Sequence, residues 1–318
     1  MREIRLAPLA GVTDWPFRKL CFEQGCDCAY TEMVSATGFV YAPQAEATRN
    51  LLYRAPSDQR LILQLFGNNP EHMYKAASIL SATGDFDGID INMGCPVHKV
   101  AASGQGSGLM RTPELAEEVM RAAVRASHVP VSVKMRLGWD AESLNYLELC
   151  HRAEDAGIAS VAIHGRTRVQ MYAGEADWDA IAKAAETVSI PVYGNGDIFT
   201  GEDAAKRLAN TAIAGLLVAR GAMGNPWIFR QIHDRLSGKT PVMPSTREKV
   251  DMALAHAMLL MEWKSENVAI REMRKHIGWY LHGVRGAAFV RTQVNRAETI
   301  DQIRELLESV CASEEVRA

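Results

Sequence analysis

Residues 88–135 read GIDINMGCPVHKVAASGQGSGLMRTPELAEEVMRAAVRASHVPVSVKM and hold one complete strand–loop–helix–strand unit. The apolar run Gly88–Asn92 has strand character, and Thr112-Pro113 opens a helical pattern. A second strand-like run, Val131–Met135, follows the helix. Alternation of this kind is typical of a parallel sheet that is covered by helices.

The loop between the first strand and the helix carries a cysteine. Gly94 and Pro96 break both helix and strand, and three further glycines between positions 104 and 108 keep the next segment irregular. Cys95 is therefore predicted to lie on a loop at the end of a strand. The alternative is that Cys95 is a small packed residue in a tight turn.

The same alternation extends over the first 240 residues. Helical segments begin with capping residues such as Asp14, Asn69 and Thr200, and they separate eight short strand-like runs. These runs are Ile4–Ala7, Cys28–Thr31, Leu61–Leu65, Gly88–Asn92, Val131–Met135, Ser160–His164, Ile190–Tyr193 and Gly215–Val218. Eight such units favour an α/β fold of the (β/α)8 TIM-barrel type, with a doubly wound open sheet as the alternative.

The chain is predicted to contain two domains and a tail. The barrel occupies residues 1–240 and ends after a helix that Asn225-Pro226 opens. The segment SGKTPVMPS, residues 237–245, is a linker. Residues 246–311 show only helical periodicity and are predicted to form a small helical bundle, and residues 312–318 to be a flexible tail.

Composition excludes several classes of protein. The 318 residues are 47% hydrophobic and 23% charged, with a formal net charge of -3, so the chain as a whole lacks the basic character of many nucleic-acid-binding proteins. No signal-peptide pattern or membrane-length apolar run occurs, and we expect a cytoplasmic protein that does not bind membranes and whose six cysteines are reduced. Cys26 and Cys28 form the only close pair, so no metal site is expected.

The end of every predicted strand supplies candidate site residues, many of them polar. They are Pro8-Leu9-Ala10-Gly11, Glu32, Gln64, Asn92 to Cys95, Lys134 with Arg136, His164 to Thr167, Asn195-Gly196-Asp197, and Arg220-Gly221. A barrel enzyme carries its chemistry at the carboxyl ends of its strands, so these residues are predicted to form one site.

The last two strands are followed by glycine-rich loops, YGNGD (193–197) and ARGAMGNP (219–226). Loops at these positions commonly bind phosphate, and Arg220 adds charge. Lys134 is a cation among buried neighbours and needs an anionic or electron-rich partner. It could form a Schiff base, donate to a flavin or phosphate, or belong to an internal ion pair.

Many blocks of this sequence resemble the tRNA-dihydrouridine synthases. They are APLAGVTDWPFR (7–18), TEMVSA (31–36), QLFG (64–67), NMGCPVHKV (92–100), GSGLM (106–110), SVKMRLGWD (132–140), HGRTRVQMYAGEADW (164–178), GNGD (194–197) and GNPWIF (224–229). RKHIGWYL (274–281) is similar to the bacterial B-type, or NifR3-like, branch. Leu9 stands where the family usually has methionine, and Ala219 stands where it usually has glycine. The side chain of Ala219 adds a methyl group near the expected phosphate.

The resemblance implies an enzyme that uses FMN, reduced by NADPH, to saturate the C5–C6 bond of specific uridines in tRNA. It implies that Lys134 favours negative charge at the N1–C2=O edge of the flavin. By position, the flavin ring would contact Pro8, Leu9, Ala10, Gln64 and Lys134. The ribityl and phosphate groups would contact His164, Arg166, Asn195, Gly196, Asp197, Ala219 and Arg220.

Cys95 would be the catalytic acid. Hydride transfer from flavin N5 to uracil C6 requires a proton at C5, and a free thiol is mostly protonated at neutral pH. The uridine must leave its stack and enter the barrel mouth, which favours loop uridines. Asn92, Arg136 and Lys99 are assigned to the substrate side of the site.

The predicted bundle carries local positive charge. Residues 246–296 hold nine Lys or Arg against five Asp or Glu, and Arg271, Arg274 and Lys275 have the spacing of one helical face. We predict that these three cations bind tRNA and that the protein is a monomer. Rival functions are an FMN-dependent dihydroorotate-type dehydrogenase, a Schiff-base aldolase that uses Lys134, and a non-catalytic RNA-binding protein.

Overall fold

A closed barrel of eight parallel strands forms the first domain of the computed structural model, which describes residues 2–315. The barrel strands are β1 (Glu3–Leu6), β2 (Cys28–Tyr30), β4 (Leu61–Phe66), β5 (Gly88–Met93), β6 (Val131–Arg136), β7 (Ser160–His164), β8 (Val192–Asn195) and β9 (Gly215–Val218). β1 pairs with both β9 and β2, and β2 pairs with β4, so the sheet closes. The predicted TIM barrel is confirmed.

Two strand predictions need correction. A two-residue strand, β3 (Val34–Ser35), pairs with the end of β4 and was not predicted. β8 begins at Val192 and not at Ile190, because Pro191 has no N–H group to enter the ladder, and it continues to Asn195. Asn195 therefore ends a strand and does not lie in a loop.

Fourteen helices occur among the described residues. Those of the barrel are α1 (Trp15–Glu23), α2 (Ala36–Tyr41), α3 (Glu46–Leu52), α4 (Pro70–Ser81), α5 (His98–Ala101), α6 (Pro113–Ala126), α7 (Tyr146–Asp155), α8 (Trp178–Thr187), α9 (Gly201–Leu208) and α10 (Ile228–Leu236). The bundle contains α11 (Thr246–Trp263), α12 (Glu266–Tyr280), α13 (Ala287–Val294) and α14 (Ile300–Glu315). Short 3₁₀ turns span Gly106–Arg111 and Arg220–Ala222. No described helix has the length and apolar character needed to cross a membrane.

The predicted helix caps are largely present. Asp14 and Asn69 accept hydrogen bonds from the first turns of α1 and α4, and Thr200 forms a capping box with Asp203 at α9. Thr112 makes no cap, because its hydroxyl donates to the Leu109 carbonyl instead. These capping bonds fix the starts of helices that directly follow loops of the barrel mouth.

The interior of the barrel is filled below its carboxyl end. Its side chains are Ala7, Cys28, Tyr30, Ile62, Ala162, Tyr193 and Leu217. Arg5 lies among them, with its guanidinium 3.6 Å from the centre of the Tyr193 ring and hydrogen-bonded to Tyr30. Because this end is packed with side chains, a ligand can enter the barrel only from the carboxyl ends of the strands.

The bundle has its own apolar core and also packs on the barrel. Val250, Leu260, Met273, Ile277 and Leu307 are among its buried residues, and α11 contacts α1. α14 continues to Glu315, so the predicted tail from residue 312 begins within this helix, and residues 316–318 lie outside the described part.

Two buried histidines lie where the bundle meets the barrel. His256 of α11 and His276 of α12 have ring centres 4.4 Å apart, and the Phe17 ring of α1 stacks on His256 at 5.7 Å. His256 Nδ1 pairs with the Tyr280 hydroxyl at 3.2 Å, whereas His256 Nε2 and His276 Nδ1 have no partner in the described chain. Burial lowers the pKa of His256 to about 3 and that of His276 to about 2, so both rings are neutral.

We predict that acid destabilises the protein through these rings. In the unfolded chain a histidine has a pKa near 6.5, so the stability contributed by a neutral buried ring is complete above that pH and is lost as the pH falls towards the folded pKa. His276→Phe should reduce the loss in free energy of unfolding between about pH 7 and about pH 5.5 by about 1.2 kcal/mol. Urea unfolding at both pH values measures this difference. The exposed His151→Gln variant is the control, and an unchanged loss in His276→Phe would contradict the prediction.

Candidate active site

A cavity of about 540 Å³ opens at the carboxyl ends of the barrel strands. Fifteen residues that the sequence assigned to the site line it: Pro8, Leu9, Ala10, Gln64, Asn92, Cys95, Lys134, Arg136, His164, Asn195, Gly196, Asp197, Ala219, Arg220 and Lys275. They come from the ends of seven barrel strands and from α12 of the bundle. The barrel and the helical bundle thus both contribute to the cavity.

Hydrogen bonds hold the Cys95 loop against the end of β5. The Cys95 N–H donates to Asn92 Oδ1 at 2.9 Å, and the Ser107 hydroxyl donates to the Cys95 carbonyl at 2.7 Å. Gly106 has a φ of +57°, and a Cβ there would lie 3.0 Å from Cys95 Cβ, so this close return of the chain requires glycine. Cys95 is half-buried, whereas the other five cysteines are buried.

A row of amide side chains crosses the cavity floor. Asn92 Nδ2 donates to Gln64 Oε1 at 2.8 Å, and Gln64 Nε2 donates to Asp90 Oδ2 at 2.8 Å. The Ser132 hydroxyl donates to the other Asp90 oxygen at 2.7 Å. Asp90 itself is fully buried and does not line the cavity.

Lys134 presents its ammonium to the cavity without a hydrogen-bonding partner in the described chain. Burial and the charge of Arg136 lower its pKa to about 8, although Asp90 and Cys95 act in the opposite direction. An internal ion pair is therefore not the role of this side chain, because no carboxylate of the described residues contacts it. A charged group in this setting favours an anionic ligand.

Arg136 connects two loops of the cavity wall. Its Nε donates to the Gly94 carbonyl at 2.9 Å, and its Nη1 donates to the carbonyls of Thr167 and Met171 at 2.8 and 2.9 Å. Arg136 lines the cavity as predicted for a substrate residue, but three of its hydrogen bonds are made to protein backbone. The Cys95 loop and the loop after β7 are thereby held together.

Asp197 organises the cations of the expected phosphate end. It pairs with Arg166 at 2.7 Å and with Arg220 at 3.0 Å. Burial raises the pKa of Asp197, but the hydrogen bonds and charge of Arg166 outweigh this effect and the pKa is lowered overall. Arg166 is buried behind the wall and does not line the cavity, so it supports Asp197 and the loop carbonyls of Ala173 and Gly174.

His164 is buried at the end of β7, beside several cations. Burial lowers its pKa first, and Lys134 and Arg136 lower it further, so the ring is neutral. A neutral imidazole can both donate and accept a hydrogen bond. The Tyr172 ring lies 6.3 Å from it, at a tilt of 40°.

The bundle supplies one wall of the cavity through α12. The Lys275 ammonium donates to the Gly11 carbonyl, and the Gly11 N–H donates to Glu32 at 2.8 Å. The β1 loop, which contains Leu9 and Ala10, is held between these two residues. One turn further along α12, Trp279 lines the cavity and packs so closely on Gly224 that a Cβ there would lie 2.3 Å from the Trp279 backbone.

The three cations predicted on one docking face are separated in the structure. Arg271 is exposed, Arg274 turns to the carbonyl of Ala297 at 3.3 Å, and Lys275 faces the barrel. Arg274 follows Ile270 by one helical turn and therefore borders the buried side of α12. Lys99 is exposed on α5, just after the Cys95 loop, and does not line the cavity.

Several cavity residues were not predicted. Trp279, Tyr172, Met33 and Phe199 line the cavity, and the Arg220 guanidinium lies 4.6 Å from the centre of the Tyr172 ring. Trp279 stands four residues after Lys275, a spacing that would have placed both on one side of α12. Within residues 2–315, no group of three or more His, Cys, Asp or Glu is arranged to hold a metal ion.

A barrel with a polar cavity at the carboxyl ends of its strands has the architecture of an enzyme. The dihydrouridine synthase (Dus) family matches residues 5–317. The chain belongs to this family, as the resemblance predicted.

Named relatives agree with this assignment. The chain is 40% identical to tRNA-dihydrouridine synthase B of Vibrio cholerae over 305 residues, which cover 95% of this chain and 94% of the relative. It is also 40% identical to tRNA-dihydrouridine synthase B of Pseudomonas aeruginosa, over 93% of this chain and 89% of that protein. A probable tRNA-dihydrouridine synthase of Rhodobacter capsulatus is 40% identical, with coverage of 92% and 90%.

A solved structure supports the fold alone. Histamine dehydrogenase from Rhizobium sp. 4-9 superposes with a TM-score of 0.53 at 14% sequence identity. The superposition covers 81% of this chain and 49% of that one, so the chain spans about half the length of this enzyme.

Proposed function

We propose that the protein is a tRNA-dihydrouridine synthase, which reduces the C5–C6 bond of specific uridines in tRNA with FMN as cofactor and NADPH as reductant. The observation that carries the proposal is the position of Cys95, held at the edge of a cavity whose floor offers cations and amide groups. Mass spectrometry of unmodified tRNA after incubation with the protein, FMN and NADPH tests it, with dihydrouridine as the expected product.

The cavity residues suit a phosphorylated flavin. Lys134 is a cation on the floor without a partner among the described residues, and Arg220 lies at the two loops that follow β8 and β9. Pro8, Leu9 and Ala10 offer an apolar edge to a flat ring. When bound and reduced, a flavin supplies a hydride.

A bound FMN would be held by Lys134, which would stabilise negative charge at the ring, and by Arg220 with the backbone of Gly196 and Ala219, which would bind the phosphate. Arg166 holds Asp197, and through it Arg220, in position. His164 and Asn195 can hydrogen-bond the polar chain between ring and phosphate. Asn195 already donates to the Leu217 carbonyl at 2.8 Å, which leaves its carbonyl oxygen for a ligand hydroxyl.

Cys95 gives the proton that the reaction requires at C5 of the uracil. The backbone N–H and carbonyl of Cys95 are hydrogen-bonded to Asn92 and Ser107, so the loop that carries the thiol is already ordered. The thiol can therefore face the uracil ring without further ordering of the loop. Asn92 and Arg136 border the same part of the cavity and can orient the base. Because the cavity is closed below, the uridine must be turned out of the RNA to reach it. Because tRNA is the proposed substrate, we place the protein in the cytoplasm. That the protein is a monomer stays a prediction.

We expect Cys95→Ala to retain FMN and its reduction by NADPH, and to form dihydrouridine at least about a hundredfold more slowly, because a general acid contributes about that factor or more. Single-turnover assays with unmodified tRNA measure the rate. The buried Cys150→Ala variant on α7 is the control. Turnover at the wild-type rate in Cys95→Ala would assign the proton to another group.

Flavin binding should weaken as the pH rises through about 8, where Lys134 loses its proton. The ammonium is charged below this pH and attracts the anionic cofactor, and binding should therefore be accompanied by proton uptake near pH 8. Calorimetric titration of the flavin-free protein with FMN in two buffers of different ionisation enthalpy measures this uptake.

Lys134→Met should bind FMN about tenfold or more weakly at neutral pH and should show no such uptake. The exposed Lys183→Met variant on α8 is the control. If Lys134→Met bound FMN with unchanged affinity, the cofactor would not contact this side chain.

We propose that tRNA docks across the cavity mouth, between the rim after Cys95 and the exposed side of α12. Lys99→Glu combined with Arg271→Glu should weaken tRNA binding and make the logarithm of affinity less steeply dependent on the logarithm of salt concentration. The slope should fall by about one for each phosphate that the variant no longer binds. FMN content and NADPH oxidation with a small artificial acceptor should not change.

Lys206→Glu is the matched control for this pair, because Lys206 is an exposed lysine near the end of α9, away from the cavity. Filter binding over a range of salt concentrations compares the three proteins. Normal affinity of the double variant at moderate salt would place the docking surface elsewhere on the rim, for example around His98 and Arg111.

A further inference from the structure

Asp90 is a buried carboxylate to which the proposed chemistry gives no role. It lies in the middle of β5 with no exposed surface, and burial raises its pKa to about 6. A buried carboxylate is costly unless its oxygens accept hydrogen bonds. Both oxygens of Asp90 do so, from Gln64 at 2.8 Å and from Ser132 at 2.7 Å.

Through Gln64 the carboxylate is connected to the Cys95 loop. Gln64 accepts a hydrogen bond from Asn92 at 2.8 Å, and Asn92 in turn accepts from the N–H groups of Gly94 and Cys95 at 3.1 and 2.9 Å. Gln64 and Asn92 are both nearly fully buried, so the hydrogen bonds between them and to Asp90 are shielded from bulk water.

The chemistry of its two ends, Asp90 and the backbone N–H groups of the Cys95 loop, fixes the direction of this series of hydrogen bonds. An ionised carboxylate only accepts hydrogen bonds, and a backbone N–H only donates them. Gln64 must therefore turn its NH₂ group to Asp90 and its carbonyl to Asn92, and Asn92 must turn its carbonyl to the loop. The carbonyl oxygens of both amides are engaged within the protein. Asn92 Nδ2 also lies 3.7 Å from Met33 Sδ, so the second N–H of Gln64 is the amide donor that meets the cavity without another partner among the described residues.

We propose that Asp90 is a positioning residue, which sets the orientation of the Gln64 and Asn92 amides and, through them, the placement of the Cys95 loop. The floor then offers a Gln64 N–H donor that suits a carbonyl oxygen of a flat heterocycle. The consequence for turnover rests on the function proposed above, whereas the consequence for the loop does not depend on it.

The reactivity of Cys95 provides a readout that needs no substrate. Cys95 is half-buried and the other five cysteines are buried, so alkylation of the native, flavin-bound protein by iodoacetamide should report on its loop. Peptide mass spectrometry identifies the labelled residue, and Cys95→Ala gives the background. Thermal unfolding and flavin content of each variant separate a local effect from a general loss of stability.

Asp90→Leu removes the acceptor and should release the loop. We expect alkylation of Cys95 to become about fivefold to tenfold faster, the factor that corresponds to one net hydrogen bond. Turnover should fall about tenfold to a hundredfold through kcat, with KM for tRNA unchanged, because misplacement of a reacting group costs about this much while docking residues are untouched.

Asp90→Asn is the conservative rescue. Its carbonyl can still accept from Gln64 while its NH₂ group donates to the Ser132 hydroxyl, so both readouts should stay within about threefold of wild type. Ser132→Ala breaks only the other bond of Asp90 and should also leave the labelling rate unchanged.

Either of two results would overturn the proposal. One is wild-type labelling and kcat in a folded Asp90→Leu protein. The other is an Asp90→Asn protein as impaired as Asp90→Leu, because the negative charge and not the acceptor would then be what matters. If the wild-type protein reduced no uridine, the proposed function would fail, but the labelling comparison would still decide the role of Asp90.

Should Asp90→Leu fail to fold, Gln64→Glu decides the same question. It places a second carboxylate against Asp90, and two carboxylates this close share a proton. The ratio of variant to wild-type labelling rates should then rise with pH as that proton is lost. A ratio that does not change with pH would contradict the proposed direction of the hydrogen bonds from Asn92 through Gln64 to Asp90.

Discussion

Four cations face one cavity, and Asp197 is the only carboxylate among the described residues that line it. Lys134 and Arg136 approach it from β6, Arg220 from the loop after β9, and Lys275 from the bundle. Such an excess is unfavourable in a protein interior unless an anionic ligand balances it. The hydrogen bonds of Arg136 and Lys275 to backbone carbonyls keep two of these charges in place without neutralising them.

The loops of the cavity wall are held in place by these same cations. Arg136 holds the Cys95 loop and the loop after β7 at one side, and Lys275 holds the β1 loop at the other. Each loop is thus fixed by a backbone carbonyl that accepts a hydrogen bond from a cation of the site. The charges that would bind the proposed anionic cofactor therefore also order the cavity wall.

Most of the barrel and much of the site could be predicted from the sequence, for a local reason. Strand-like runs and the residues just after them are adjacent in sequence, so the side chains from Pro8 to Arg220 could be assigned to one end of the barrel as soon as eight strands were counted. Arg166 shows the limit of this argument, since it follows β7 as expected but turns behind the wall to pair with Asp197. The direction of a side chain after a strand depends on packing that no local pattern contains.

The contribution of the bundle could not be predicted for a different reason. Arg271, Arg274 and Lys275 have the spacing of one helical face, but which side of α12 meets the barrel depends on the contacts of α11 with α1 and of Trp279 with Gly224. These contacts join residues more than fifty positions apart. Helical periodicity separates apolar from polar sides and does not identify the polar residues that another domain will cover.

The place of Trp279 and Lys275 in the cavity wall also limits how the two domains can diverge. A helical appendage joined only by residues 237–245 would be free to change its sequence and its tilt without affecting the barrel. Here α12 contacts the β1 loop and Gly224, so any such change also moves a wall of the cavity. Changes in the bundle therefore require compensating substitutions in the barrel. A bundle exchanged between relatives would bring with it a surface that does not fit the barrel.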